Sequence, residues 1–198
     1  MQISRRMNLI DFGTLSFFVV ILAGVYSCAQ DKPLIFQAVA RGTGDQLRQS
    51  YGIAVEVTIA SYSSPEEQQI LMDTFLKDGT RGMVSALKKM PVRGKLWFSG
   101  QAAYDITYIR ELSTPTGRTI RLVTNRFVTL ADISGHAQQQ QDYSLSALEL
   151  DLGGTEKGKT TGIFFPACQF SMDKEKGIRI EAYQNPWRLD QITEKKGR

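Results

Sequence analysis

From Pro91 onward the chain is a succession of short β-prone segments separated by turn residues, and this rhythm restricts it to a mostly antiparallel β fold. Ala102–Leu112 and Thr119–Arg126 flank Ser113-Thr114-Pro115-Thr116-Gly117, a hairpin loop by its proline and glycine. Tyr143–Leu152 and Thr160–Met172 flank a Gly/Lys turn, and Asp173 to Gly177 turns into Ile178–Tyr183. Links this short join antiparallel neighbours, because parallel strands need crossovers of about a dozen residues or more. Upstream, Ile53, Val55, Val57 and Ile59 alternate with Ala54, Glu56, Thr58 and Ala60, the period of a strand with one buried face. Leu34–Ala40 and a last strand over Trp187–Ile192 bring the set to about eight, within the usual range for one sheet.

Between the second strand and Pro91 the period changes. Ser64 is placed to cap a helix, Pro65 suits the first helical position, and Glu67 completes a capping box. Ile70, Leu71 and Phe75 form its apolar side, and Gly79 is expected to end it. A second short helix is expected from Arg81 to Met90, carrying Met83, Val84 and Leu87 and stopping before Pro91. The expected fold is therefore α+β and mostly antiparallel: a sheet curled into a barrel or sandwich, with a two-helix insertion after the second strand, packed on the sheet or across an open end. No repeat or linker divides the chain.

The first thirty residues read as an export signal. Arg5 and Arg6 precede an uncharged run from Phe12 to Tyr26, followed by Ser27-Cys28-Ala29. As a helix that run would span about 22 Å, short of the roughly 30 Å hydrocarbon core. Two cuts fit. Ser27 and Ala29 suit an ordinary peptidase site that leaves Gln30 first, with residues 1–29 removed. Val25-Tyr26-Ser27-Cys28 resembles a bacterial lipobox, which would remove residues 1–27 and lipidate Cys28. Ser4-Arg5-Arg6 is also similar to a twin-arginine signal, with Asn8 where an aromatic residue is usual. Either way Cys168 is left as a lone thiol and no disulfide is expected. The domain over residues 30–192, followed by a basic tail over 193–198, must be held by its core.

Charge excludes a general nucleic-acid role. The formal charge is +4, of which residues 1–29 carry +1 and residues 193–198 carry +2, so the body carries only +1. Lys88, Lys89, Arg93 and Lys95 form one local basic cluster that fits either phosphate groups or, more ordinarily, a helix C-terminus followed by a solvated turn.

The motifs lead away from catalysis. Gly153 to Thr160 satisfies G-x-x-x-x-G-K-[ST], but a phosphate cradle needs a helix directly after the loop, and Thr161-Gly162-Ile163-Phe164-Phe165-Pro166 is a β-prone run cut by proline. Gly42-Thr43-Gly44 lacks the third glycine of a dinucleotide site, since Leu47 stands there. The only histidine, His136, lies near Asp132 in a polar, glutamine-rich stretch with no nucleophile elbow in the sequence. No cofactor, metal site or catalytic set is expected.

One constellation suggests binding. If Arg110 pairs with Ile120, then Tyr104, Ile106, Tyr108, Arg110 and Leu112 share a face with Ile120, Leu122, Thr124 and Arg126, while Asp105, Glu111 and Arg121 lie opposite. Tyr104, Tyr108, Arg110 and Arg126 would then border a face able to hold an amphiphile with an anionic head; the plainer reading has both arginines snorkelling from the rim.

Ala103-Tyr104-Asp105-Ile106-Thr107-Tyr108-Ile109-Arg110, Leu122-Val123-Thr124-Asn125-Arg126, Asp142-Tyr143 with Leu148-Glu149-Leu150, and Pro186-Trp187-Arg188-Leu189 resemble a family of exported bacterial proteins of uncharacterised function. The resemblance covers roughly Leu34 to Ile192 and implies export and a single β-rich domain, with no activity attached. The expectation is a periplasmic, membrane-anchored or extracellular binding or interaction protein. Its partner would be a small amphiphilic ligand or an envelope protein, with membrane contact only through a lipid anchor and no nucleic acid. The alternative is a periplasmic hydrolase using scattered residues such as Asp132 and His136. The intact mass of the protein from its native host tests the leader: it should show a lipid adduct on Cys28 or a clean start at Gln30, and an uncleaved Met1 would contradict both.

Overall fold

The computed structural model describes residues 32–43, 52–115, 117–128, 144–153, 160–173, 177–183 and 185–196. The leader with Cys28, the stretch holding Asp132 and His136, and the interior of the Gly/Lys turn lie outside them. In chain order the elements are β1 (Leu34–Arg41), β2 (Ile53–Ile59), α1 (Pro65–Leu87), β3 (Gly94–Phe98), β4 (Tyr104–Thr114), β5 (Gly117–Thr124), β6 (Leu145–Gly153), β7 (Thr160–Asp173), β8 (Gly177–Ala182) and β9 (Trp187–Lys196).

Every ladder is antiparallel, and the order β1-β2-β3-β4-β5-β6-β7-β9 closes on itself where Leu34 to Arg41 pair with Lys196 to Arg188. The result is a closed eight-stranded meander barrel, so of the two expected forms of curled sheet the barrel is the one formed. β9 runs on past Ile192 to Lys196, taking the start of the expected basic tail into the ring. β8 stands outside that ring. It pairs with Cys168 to Asp173 of β7, and β9 then takes the same edge of β7 at Gly162 to Phe164, so the β7–β8 hairpin extends past the barrel as an arm.

An eight-stranded barrel is just wide enough for its own side chains to fill, and here they do. Phe36, Val57, Leu96, Phe98, Leu122, Leu150, Phe164 and Trp187 belong to one interior cluster, all at 2 % exposure or less. Phe98 meets Tyr104 edge-on at 6.2 Å and lies 5.1 Å from Phe164. The short strand β3, which sequence reading passes over, contributes Leu96 and Phe98 to this core while Lys95 and Trp97 face out.

A two-helix insertion is not what forms after β2. The chain from Pro65 to Leu87 is one helix, bent at Gly79, whose φ of 62° and ψ of −153° fall where glycine is favoured. Gly79 bends the helix and does not stop it, because helical geometry resumes at Thr80 and Thr80 Oγ1 donates to Phe170 O at 3.0 Å on β7. A straight helix of 23 residues would run about 34 Å, tangent to a curved wall. The bend keeps Leu71 and Phe75 on one side of it, and Met83 and Leu87 on the other, against the same outer surface. There they pack over Tyr108, Val123, Leu145, Ala147, Cys168 and Phe170, a second apolar cluster that shares no residue with the barrel interior.

The start of α1 is stapled to the barrel. Ser64 Oγ accepts from Glu67 N at 3.3 Å and Glu67 Oε2 accepts from Ser64 N at 3.0 Å, the expected capping box. Arg93 donates to Glu67 Oε1 at 2.6 Å and to Ser61 Oγ at 3.1 Å, while its backbone bridges Ile106 O and the Ala60 and Ser61 amides. Ser63 joins the clamp through Ile109: its amide donates to the Ile109 carbonyl at 2.8 Å, and its hydroxyl oxygen accepts from the Ile109 amide at 3.1 Å. Partial burial pushes the Glu67 carboxyl up, but hydrogen bonds from Arg93 and the Ser64 amide, with the Arg93 charge, hold it below the ordinary range. A lowered folded value means that the charge stabilises the fold above the unfolded carboxyl range and stops doing so as pH falls through the folded value. Glu67→Gln should therefore cost about 1–2 kcal/mol at neutral pH. In thermal melts over a pH series, the gap to the parent should close below about pH 4.

Candidate functional site

The pairing of β4 with β5 decides which side chains meet. Ile106 lies opposite Thr124, but Tyr108 lies opposite Val123, so Thr107 is an extra residue that bulges β4. Before the bulge Tyr104 and Ile106 point into the barrel. After it Ile109 takes the inward position and Tyr108 turns out under α1. The same ladder pairs Arg110 with Arg121, not with Ile120, and Glu111 with Ile120. The hairpin connection is also tighter than the sequence suggests, since Thr114 pairs directly with Gly117.

The expected binding face is therefore redistributed. Tyr104 is inside the barrel at 3 % exposure, and the Arg126 guanidinium stacks over its ring, 4.2 Å from the centroid. Arg126 is held just past β5, where Thr124 Oγ1 donates to its carbonyl at 2.5 Å. Tyr108 and Arg110 are on the outer wall, and the residue that joins them is Arg121, which the unbulged register puts on the opposite face.

Tyr108, Arg110, Leu112, Arg121 and Val123 form the wall of a cavity of about 380 Å³. Its roof comes from both halves of α1, with Gln68, Leu71 and Met72 before the bend and Met83 and Leu87 after it; Phe170 of β7 closes one side. The lining is thus largely apolar, and its polar groups are Gln68 on the roof and Tyr108, Arg110 and Arg121 on the barrel wall. There Arg121 and Glu149, partners in the β5–β6 register, form an ion pair at 2.7 Å, with both Arg121 Nε and Nη2 against the same carboxylate oxygen. The Arg110 guanidinium stands close to the Tyr108 hydroxyl. Burial raises Tyr108 above the usual phenol value despite the opposing pull of the Arg110 and Arg121 charges, so it remains a protonated donor at neutral pH. A volume of this size falls within the range of small-molecule pockets, which combine an apolar lining with a few placed polar groups.

Other candidates do not gather into sites. Lys88 caps the end of α1, Arg93 is paired with Glu67, and Lys95 is paired with Asp105, so the basic cluster is divided between a helix end and two ion pairs. The P-loop-like stretch is flanked by Gly153 at the end of β6 and Thr160 at the start of β7, with Leu152 paired to Thr160, so a strand follows where a phosphate cradle needs a helix. Among the described residues no group of three or more His, Cys, Asp and Glu gathers to hold a metal, and no helix is long and apolar enough to cross a membrane.

Searches against family models, curated proteins and solved structures find no match for the chain. The site must be read from its own geometry.

Cys168, directly beneath α1, is fully buried, and burial pushes its thiol up to about 12. The thiolate is the reactive form, so a native-state thiol reagent should leave Cys168 unmodified at neutral pH, and labelling should appear only in denaturant. Peptide mapping after timed labelling reads this directly.

Proposed function

We propose that the protein is an exported, envelope-associated binding protein that holds an amphiphile with an anionic head on the outside of its barrel, beneath α1. The observation that carries this reading is the cavity's mixed lining: buried leucine, methionine, valine and phenylalanine side chains together with two arginines and a phenol on the barrel wall. The filled barrel interior supports the same location, since the aromatic cluster around Phe98 and Phe164 occupies the space where a wider barrel would take a ligand. The basic start and apolar run of the first thirty residues support export, with Cys28 as the lipid attachment point if the lipobox is used. The hydrolase alternative rests on Asp132 and His136, both outside the described residues, and nothing in the cavity favours it.

Titration with 1-anilinonaphthalene-8-sulfonate, an apolar probe with an anionic group, tests the reading. The protein should bind it saturably at one site, and Met72→Trp, which sets an indole into the cavity from its half-buried rim, should weaken binding at least about tenfold, the loss expected when a preformed apolar pocket is filled. Equal binding by the parent and the variant would overturn the location.

A further inference from the structure

Resting on that reading, we infer that the cavity selects a single-chain fatty carboxylate, its head on Arg110 and Tyr108 and its tail beneath α1. The argument begins with a row of charges across three strands. Arg110 of β4 is the register partner of Arg121 of β5, and Arg121 is the register partner of Glu149 of β6. Like charges directly opposite one another destabilise a sheet, and Glu149 offsets this by pairing with Arg121 at 2.7 Å. The row is left with one uncompensated positive charge. It sits on Arg110, which is exposed, stands beside the neutral Tyr108 hydroxyl and, among the described residues, forms no ion pair with a carboxylate.

One unit of charge suits one class of head. A carboxylate matches the guanidinium fork in two parallel hydrogen bonds, and the neighbouring Tyr108 hydroxyl keeps its proton to donate to the same head. A phosphate monoester brings about −1.5 to −2 charges. To neutralise it, Arg121 would have to leave Glu149, which would strand a carboxylate beside the incoming anion. The Arg121–Glu149 pair therefore works against a dianion while leaving Arg110 open to a monoanion.

The tail follows from space. About 380 Å³ is near the lower end of the range for small-molecule pockets, which favours one acyl chain over two. The buried part of the lining, formed by Leu71, Met83, Leu87, Val123 and Phe170, is apolar, and Gln68 is the one polar side chain of the roof.

The test is a competition at neutral pH in which the bound naphthalene-sulfonate probe is displaced by dodecanoate, dodecyl phosphate, dodecanol or a two-chain phosphatidic acid. Dodecanoate should displace the probe at a concentration at least about tenfold below that needed for any of the others, the scale of a charge-assisted hydrogen-bonded head. Arg110→Gln should bring dodecanoate down to the level of dodecanol and leave dodecanol itself unchanged, which a folding defect would not do. Tyr108→Phe should weaken dodecanoate and spare dodecanol in the same way. Dodecyl phosphate or the two-chain lipid matching or exceeding dodecanoate, or an unchanged preference in Arg110→Gln, would overturn the carboxylate assignment while leaving amphiphile binding in place. Failure of all four to displace the probe would instead remove the amphiphile reading on which it rests.

Discussion

The outer site depends on one extra residue in β4. Thr107 has no partner across the ladder, and by breaking the alternation it sends Tyr104 and Ile106 into the barrel and Tyr108 and Arg110 out of it. Without that bulge the outward row would carry different side chains, and the cross-strand set of Arg110, Arg121 and Glu149 would not exist. The bulge has a cost, since the Thr107 hydroxyl is buried and has no hydrogen-bond partner among the described residues, a loss of about 1–3 kcal/mol for a polar group taken from water. A bulge kept at that cost beside a cavity fits the general use of bulges to re-aim side chains near functional sites.

Once Tyr108 and Val123 are turned outward they need a cover, and α1 is that cover. Its position is fixed at two ends by different means. Arg93, Ser63 and the capping box hold its start through hydrogen bonds and one ion pair. Its far half is held by Leu87, fully buried, and by the Thr80 hydroxyl on β7. The bend at Gly79 reconciles the two attachments with the curvature of the wall. Gly82 shows how closely the halves approach there: a Cβ at that position would come within 2.9 Å of the Thr74 carbonyl oxygen. Burying Leu87 alone accounts for about 1.5–3 kcal/mol, comparable to the contribution of Glu67 to the clamp, so packing and hydrogen bonding share the task of holding the roof on the cavity.

Much of this architecture was legible before any coordinates. Ile53 to Ile59, the Gly and Pro turns, and Ser64-Pro65 with Glu67 each carry a local signal strong enough to place an element. What escaped was decided by tertiary context. Leu96 and Phe98 alternate correctly, but five residues are too few to stand out, and β3 exists because β2 and β4 flank it. Gly79 has the local chemistry of a helix stop and becomes a bend because the barrel wall rewards both halves of the helix. Of the four residues that the sequence suggests as ligand contacts, Tyr108 and Arg110 line the outer cavity, Tyr104 and Arg126 meet at the barrel interior, and Arg121 joins the first pair because the bulge reverses its expected face. A bulge shifts register by one residue and leaves no mark in the pattern of the bulged strand alone. The one available signal was in β5, where Arg121 and Val123 alternate with Ile120 and Leu122 and a tight Thr114–Gly117 turn fixes the pairing.

The two apolar clusters lie back to back, separated by the thickness of one β-sheet, and have no residue in common. The barrel interior packs within the closed ring, and the layer outside it seats α1 and lines the cavity. Side chains in the outer layer are consequently free to vary in size and polarity within the limits set by α1, without touching the aromatic interior. A scaffold partitioned in this way lets the side chains beneath α1 change across descendants while the packing of the closed ring stays constant.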